Sequence, residues 1–366
     1  MADHAARLAA LRERMRASGT DLVAVGPSSH MLWLSGVSPH GDERPVLQLV
    51  TADKAAFLMP KLNADAARKD TDLPFYPWSD DEGAEGALRR LIADFGLAGR
   101  KGLNVALDET MRADFALLLL GQLDAPRHTF TGETVAWLRA RKDAEEYRIL
   151  KHNALLNDEA ALAAFASLKE GMTEIEVAEV VKNFYRSRGA VAEFTIIGFG
   201  ENGAYPHHYC SGRRLKQGDA VLVDIGGRNQ GYPSDMTRMG YFGTKPEGLD
   251  DIHAIVDRAV RAAIDAARPG VTARTVDAAA RGVIAEAGYG EFFLHRTGHG
   301  LGIDIHEGPY ITASSDVVLE EGNVFSIEPG IYLKGRFGVR LEEVVILRKD
   351  GAEVLSGLPR TLVTGG

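Results

Sequence analysis

Four carboxylates interrupt apolar, β-branched runs in the second half of this chain, and this limits its possible folds more than any other feature. Asp224 stands inside Val221-Leu222-Val223-Asp224-Ile225-Gly226, and Asp235 follows in Gly231-Tyr232-Pro233-Ser234-Asp235. Glu328 ends Val324-Phe325-Ser326-Ile327 and is pinned by Pro329-Gly330, while Glu342 lies in Gly338-Val339-Arg340-Leu341-Glu342. Acidic side chains normally face water. A carboxylate buried without a partner is very costly. Too few basic residues stand nearby for four separate ion pairs, whereas a pair of divalent cations would satisfy all four. Carboxylates with one or two imidazoles form a mixed hard and borderline donor set that suits Mn, Co, Zn or Fe.

The histidines extend the pattern. Thr297-Gly298-His299-Gly300-Leu301-Gly302 sets an imidazole among glycines, which permit close backbone approach around a ligand. His306 follows before Glu307-Gly308-Pro309, and His207 and His208 follow Pro206, upstream of Asp224. Taken singly, a strand-end acid is more often a cap or ion-pair member, and a lone histidine more often a satisfied core or surface residue. His4, His30, His128, His152 and His253 read that way. Glu343, Glu307 and Asp304 read as solvated or supporting groups. The ordered conjunction of the remaining residues is what points to chemistry.

The chain has 366 residues, 45% of them hydrophobic, enough for a large core and two domains. Residues 1–135 alternate helical and strand-like runs, as a small α/β domain would. The junction falls near Trp137-Arg141. Residues 136–366 open with a helical stripe of Leu150, Ala154, Asn157, Ala161, Phe165 and Leu168. Helices over 173–188, 252–267 and 275–287 then alternate with strands near 193–198, 220–226, 324–327 and 339–347. That order predicts an α+β domain around a mostly antiparallel sheet. A formal net charge of -9 and the lack of any long basic run argue against nucleic acid as a partner. Cys210 is the only cysteine, which excludes an intrachain disulfide and a Cys-type zinc site and fits a reducing cytoplasm. No apolar run approaches the ~18 residues of a membrane span. Residues 1–16 lack the apolar stretch of a signal peptide.

These motifs resemble the pita-bread metallopeptidases: methionine aminopeptidase, aminopeptidase P and prolidase. The residues carrying the resemblance are Asp224, Asp235, His299, Glu328 and Glu342, with spacings of 11 residues from Asp224 to Asp235 and 14 from Glu328 to Glu342. Leu11-Arg12-Glu13-Arg14-Met15, Leu22-Val23-Ala24-Val25 and Leu32-Trp33-Leu34-Ser35-Gly36 resemble the creatinase-like amino domain of the prolidase and aminopeptidase P branch. The resemblance implies a two-metal site in which Asp224 chelates one metal, Asp235 and Glu342 bridge, and His299 and Glu328 bind the second. It implies attack by a metal-bridging hydroxide on an Xaa-Pro bond, with Glu328 shuttling the proton. His306 would stabilise the oxyanion, and His207 would contact the scissile amide. Arg340 would pair with a substrate carboxylate or orient the metal carboxylates. Small proline-containing peptides are the expected substrates, Mn the expected metal with Co or Zn as alternatives, and a homodimer the expected assembly. The amino domain favours prolidase or aminopeptidase P, and the compact size an Xaa-Pro dipeptidase, with aminopeptidase P the close alternative; a metal-free creatinase-type hydrolase and a non-catalytic binding module are the remaining readings. Arg44, in His40-Gly41-Asp42-Glu43-Arg44-Pro45, is a candidate for the substrate's C-terminal carboxylate, with a surface ion pair as the competing role.

Overall fold

The computed structural model describes residues 3–365. The chain divides into two compact units, Met1–Arg139 and Ala140–Gly366. Among the described residues no helix is long and apolar enough to cross a membrane.

The first unit contains helices α1 (His4–Ser18), α2 (Ser29–Ser35), α3 (Lys61–Ala67), α4 (Glu85–Asp94), α5 (Ala113–Leu120) and α6 (Val135–Arg139). Its strands are β1 (Leu22–Val25), β2 (Leu47–Val50), β3 (Ala55–Pro60), β4 (Phe75–Trp78), β5 (Asn104–Leu107) and β6 (Arg127–Phe130). They form one mixed sheet in the order β4-β3-β2-β1-β5-β6. Leu22, Leu47, Leu49 and Leu58 of the sheet pack with Leu88 and Leu91 of α4 and with Phe115 and Leu119 of α5. The central strands β1, β2 and β3 are buried on both faces because they are apolar at nearly every position, whereas the edge strand β6 is exposed.

The second unit opens with α7 (Ala144–Ser167) and α8 (Glu174–Ser187), each started by a capping box, Asp143 with Glu146 and Thr173 with Glu176. Strands β7 (Val191–Phe199), β8 (Ala220–Asn229), β9 (Tyr232–Pro233) and β10 (Met236–Phe242) follow, then helices α9 (Leu249–Ala266) and α10 (Ala273–Glu286). The chain ends in β11 (Gly298–Gly300), β12 (Glu307–Ile311), β13 (Val324–Ile327), β14 (Gly330–Leu333), β15 (Phe337–Arg340), β16 (Glu343–Arg348), β17 (Gly351–Val354) and β18 (Val363–Gly365). Where the sequence predicts one sheet, the strands form two five-stranded sheets and a separate β14–β15 ribbon. All pairings in this unit are antiparallel except β10 with β18. The expected strand over 339–347 is broken at Leu341-Glu342, because the chain leaves its ladder with β14 and joins β13 instead.

Every residue of the predicted α7 stripe is buried. Two asparagines on this helix hold the β8 hairpin. Asn157 Nδ2 donates to the Ile225 carbonyl at 2.9 Å, and Asn153 Nδ2 donates to the Asn229 and Tyr232 carbonyls at 3.0 and 2.7 Å. Helices α7 and α8 cover one sheet through Phe165, Val177, Val181 and Tyr185. Helices α9 and α10 pack Ile252, Val256, Val276 and Ile284 against Phe325, Val339 and Val345.

Candidate metal centre

Two hairpins set the carboxylates. Strands β8, β9 and β10 share one antiparallel register around the turn at Gln230-Gly231, both residues at positive φ. Asp224 therefore lies opposite Thr237, and Asp235 keeps to the same face two residues earlier, as the two-residue pleat requires. At the second hairpin, Ile327 of β13 pairs with Glu343 of β16 on one side of a break, and Gly330 pairs with Arg340 in the separate β14–β15 ribbon on the other. The two ladders are in step, so Glu328 lies opposite Glu342 across the break. The spacings of 11 and 14 residues are the consequence of these two hairpins.

His299 occupies β11, between β12 and β13. A Cβ on Gly298 would meet the Ser326 carbonyl of β13, and one on Gly300 would meet the Gly308 carbonyl of β12. Glycine on each side is thus required by strand spacing. His299 Nδ1 lies 3.1 Å from the Gly300 carbonyl oxygen, which can only accept, so Nδ1 carries the proton. Nε2 then presents its lone pair to Glu328 Oε1 at 3.3 Å and Asp235 Oδ2 at 3.6 Å. Lone pairs facing carboxylates need a cation or a proton between them. Ligand atoms of Asp235, His299 and Glu342 all lie within 4.8 Å of one another, and all three residues are buried.

Burial raises the pKa of Asp224, Asp235 and Glu342, and neighbouring carboxylates raise it further. Arg340 offsets part of the rise at Asp224. Burial also acts to raise Glu328, but where a proton rather than a cation lies between His299 and Glu328, the hydrogen bond from His299 and the charges of His299, His295 and Arg340 outweigh it and leave Glu328 at about 2. Asp224 Oδ1 and Glu342 Oε1 are sealed from water without a hydrogen bond. Two orphaned carboxylate oxygens and an imidazole lone pair, in a cage of mutually repelling acids, fit a pair of divalent cations.

Arg340 is buried, and its three nitrogens are committed. Nε donates to Thr237 Oγ1 at 3.0 Å, Nη1 to the Tyr332 hydroxyl at 2.8 Å and Nη2 to Asp224 Oδ2. Thr237 Oγ1 in turn donates to Glu342 Oε2 at 2.9 Å. His295 Nδ1 donates to the Arg296 carbonyl, so its Nε2 accepts from the Tyr332 hydroxyl at 2.7 Å. Of the two roles expected for Arg340, this geometry supports orientation of the carboxylates. Tyr332, His295 and Thr237 are site residues that the sequence did not single out. A threonine two residues after Asp235 and a tyrosine four after Glu328 were the available signals.

The His306 ring lies 4.1 Å from that of His299, tilted by 68°. It keeps a solvent-exposed edge, yet burial of the rest, the charge that His299 carries when protonated and the charge of Arg296 lower its pKa to about 4. His207 is exposed and acts electrostatically on both His295 and His306. Arg44 is gripped by Asp80 at 3.0 and 3.1 Å and touches Glu43 at 3.2 Å.

Of the two roles expected for Glu343 and Glu307, solvated or supporting, the structure excludes the solvated one. Glu343 is buried against Arg238 at 3.0 Å, and Glu307 pairs with the buried Lys142 at 2.6 Å. A second gathering of ligand types, His30, Asp108 and Glu109, lies in the first unit. Arg139 donates to His30 Nδ1 at 3.0 Å, so Nε2 carries the proton and faces Thr131 Oγ1 at 3.1 Å. Asp108 accepts from Gly26, Ser28 and Thr110. With no imidazole lone pair left, this group is a hydrogen-bonded core network.

Residues 148–349 match metallopeptidase family M24 and residues 7–141 match the creatinase/prolidase N-terminal domain, and the chain belongs to that metallopeptidase family. It is 36% identical to the probable dipeptidase PepE of Mycobacterium tuberculosis, over 98% of this chain and 96% of that one. It is 33% identical to an Xaa-Pro dipeptidase of Pyrococcus furiosus, over 98% and 99%. The solved structure of dipeptidase PepE from Mycobacterium ulcerans superposes with a TM-score of 0.90 at 34% identity, covering 99% of this chain and 97% of that one. The fold is the one the resemblance implied, a creatinase-like α/β unit followed by a pita-bread unit.

Proposed function

We propose that the chain hydrolyses Xaa-Pro dipeptides with two divalent cations, Mn foremost, held by Asp224, Asp235, His299, Glu328 and Glu342. The observation that carries this reading is the cage of buried acids with orphaned oxygens facing a histidine lone pair. When bound, such cations polarise a carbonyl and make a shared water acidic enough to attack near neutral pH. Glu328, ionised across the neutral range, is the group placed to accept the proton of that water and return it to the leaving nitrogen. His306, neutral above about pH 4, donates a ring N–H to the developing oxyanion. His207 contacts the scissile amide from the exposed side. Arg340 keeps Asp224 oriented and, through Thr237, Glu342 as well.

Dipeptidase activity is favoured by the names of the full-length relatives, and it needs a receptor for the product-side carboxylate. Arg44 is our candidate for that receptor, and to serve it must exchange Asp80 for the substrate. Arg44→Ala should raise the Michaelis constant for Leu-Pro about tenfold and leave that for Leu-Pro amide unchanged; equal constants for wild type and variant on Leu-Pro would remove Arg44 from the site. The reading as a whole is tested by loading metal-stripped protein with Mn and assaying Leu-Pro, Leu-Pro-Ala and Met-Ala-Ser side by side. Cleavage of Leu-Pro alone supports the dipeptidase. Cleavage of Leu-Pro-Ala makes the chain an aminopeptidase P, and no metal-dependent cleavage of any of the three overturns the reading.

A further inference from the structure

We infer that Glu174 and His208 are positioning residues that hold His207 over the reaction site, an inference that rests on the proposed contact of His207 with the scissile bond. The His207 imidazole makes no hydrogen bond among the described residues, so its place is set by its backbone. That backbone belongs to a segment, 199–211, fastened by one buried carboxylate. Glu174 Oε1 accepts from the Phe199 amide at 3.0 Å and Asn202 Nδ2 at 2.9 Å. Oε2 accepts from His208 Nε2 at 2.8 Å, the Ser211 amide at 2.9 Å and Ser211 Oγ at 2.7 Å. One side chain thus grips the start, the turn and the end of the segment, and His207 sits between two of the grips.

Glu174 is itself fixed. It is the first residue of α8, adjacent to the Thr173 cap, and is fully buried. Burial acts to raise its pKa, but the donors from His208, Phe199, Ser211 and Asn202 outweigh it and keep the carboxylate ionised. The opposite side of the segment rests on the ribbon that carries Arg340. A Cβ on Gly198 would lie 2.8 Å from Gly203 Cα, and one on Gly338 would meet the Gly203 carbonyl oxygen. Gly338 stands two residues before Arg340 on β15. The segment is therefore clamped between Glu174 and the strand that orients the carboxylate cage. A carboxylate with five donors aimed at it cannot be replaced by an amide without setting N–H groups against N–H groups.

The test uses the Mn-loaded enzyme and whichever peptide of the panel the wild type cleaves. His208→Phe should lower kcat about 10- to 100-fold with the Michaelis constant within about twofold, the scale expected when a positioned group shifts by an ångström. His208→Gln, whose amide N–H can still reach Glu174, should recover most of the loss. In a His207→Ala background, His208→Phe should cost no more than about twofold. A full additional loss in that background, or no loss with His207 intact, would overturn the inference. A second readout needs neither metal nor peptide. In metal-stripped Glu174→Gln, the Phe199 and Ser211 amides should exchange hydrogen at least about tenfold faster, and unchanged exchange overturns the clamp. If the wild type cleaves none of the peptides, the peptidase reading fails, while the exchange experiment still decides whether Glu174 holds the segment.

Discussion

His299 spends its Nδ1 proton on the Gly300 carbonyl and turns a lone pair toward Asp235 and Glu328. The acids it faces divide by environment. Asp235 and Glu342 have raised pKa values, first from burial and then from neighbouring carboxylates, whereas Glu328 is held at about 2. In metal-stripped protein the two raised groups keep protons that the unfolded chain releases. Their contribution is complete below the ordinary carboxylate range and falls as pH rises through it, by about 1.4 kcal/mol per pH unit for each retained proton. Glu328 has the opposite sign, and its contribution disappears only in strong acid. Urea unfolding of stripped protein between pH 5 and 8 should therefore show a fall that Asp235→Asn flattens; parallel curves would contradict the assignment. Arg340→Met should weaken metal binding about 10- to 100-fold, the usual cost of losing a ligand's supporting partner, read by metal titration of the stripped protein. The candidates Asp224, Asp235, Glu328 and Glu342 were legible in the sequence because a carboxylate inside an apolar run is costly without a counter-charge, and His299 because glycines surround it. Tyr332 and His295 were not, since a tyrosine in a strand and a histidine in a loop look like core and surface. For Glu343 and Glu307 the choice between a solvated and a supporting role stayed open in the sequence because their partners, Arg238 and Lys142, are distant in the chain.

Hairpin geometry converts those positions into a site. The alternation of helices and strands was legible from periodicity. The division into two sheets was not, because it depends on which ladder a strand joins. Residues 339–347 read as one strand, yet β15 pairs with β14 and β16 with β13, and the change of partner turns Glu342 to the cage. The glycines beside His299 were legible as places of close approach, although the approaching groups prove to be the carbonyls of neighbouring strands. Gly298→Ala should force β11 away from Ser326, destabilise the protein by about 1–3 kcal/mol, and weaken metal binding by displacing His299. Denaturant unfolding and metal titration of the one variant test both effects, and a variant as stable as the parent would contradict the close contact.

At the scale of the whole chain, the two units carry separate cores, one around the mixed sheet of residues 1–139 and the other beneath α7–α10. Metal should therefore stabilise one thermal transition and not the other. Saturating metal at a thousand times its dissociation constant adds about 4 kcal/mol, so chelation should lower the transition of residues 140–366 by roughly 10 °C. Calorimetry with and without chelator checks this, and a uniform shift of all unfolding would contradict it. The candidate ligands also come from two strand systems, Asp224 and Asp235 from the β8–β10 hairpin, His299 from β11, and Glu328 and Glu342 from the ends of β13 and β16. A cation gripping both closes a loop of roughly a hundred residues, much as a covalent cross-link would. In a chain with one cysteine, that ionic rivet takes the place a disulfide cannot fill, and a protease should find α9 and α10 easier to nick once the rivet is drawn.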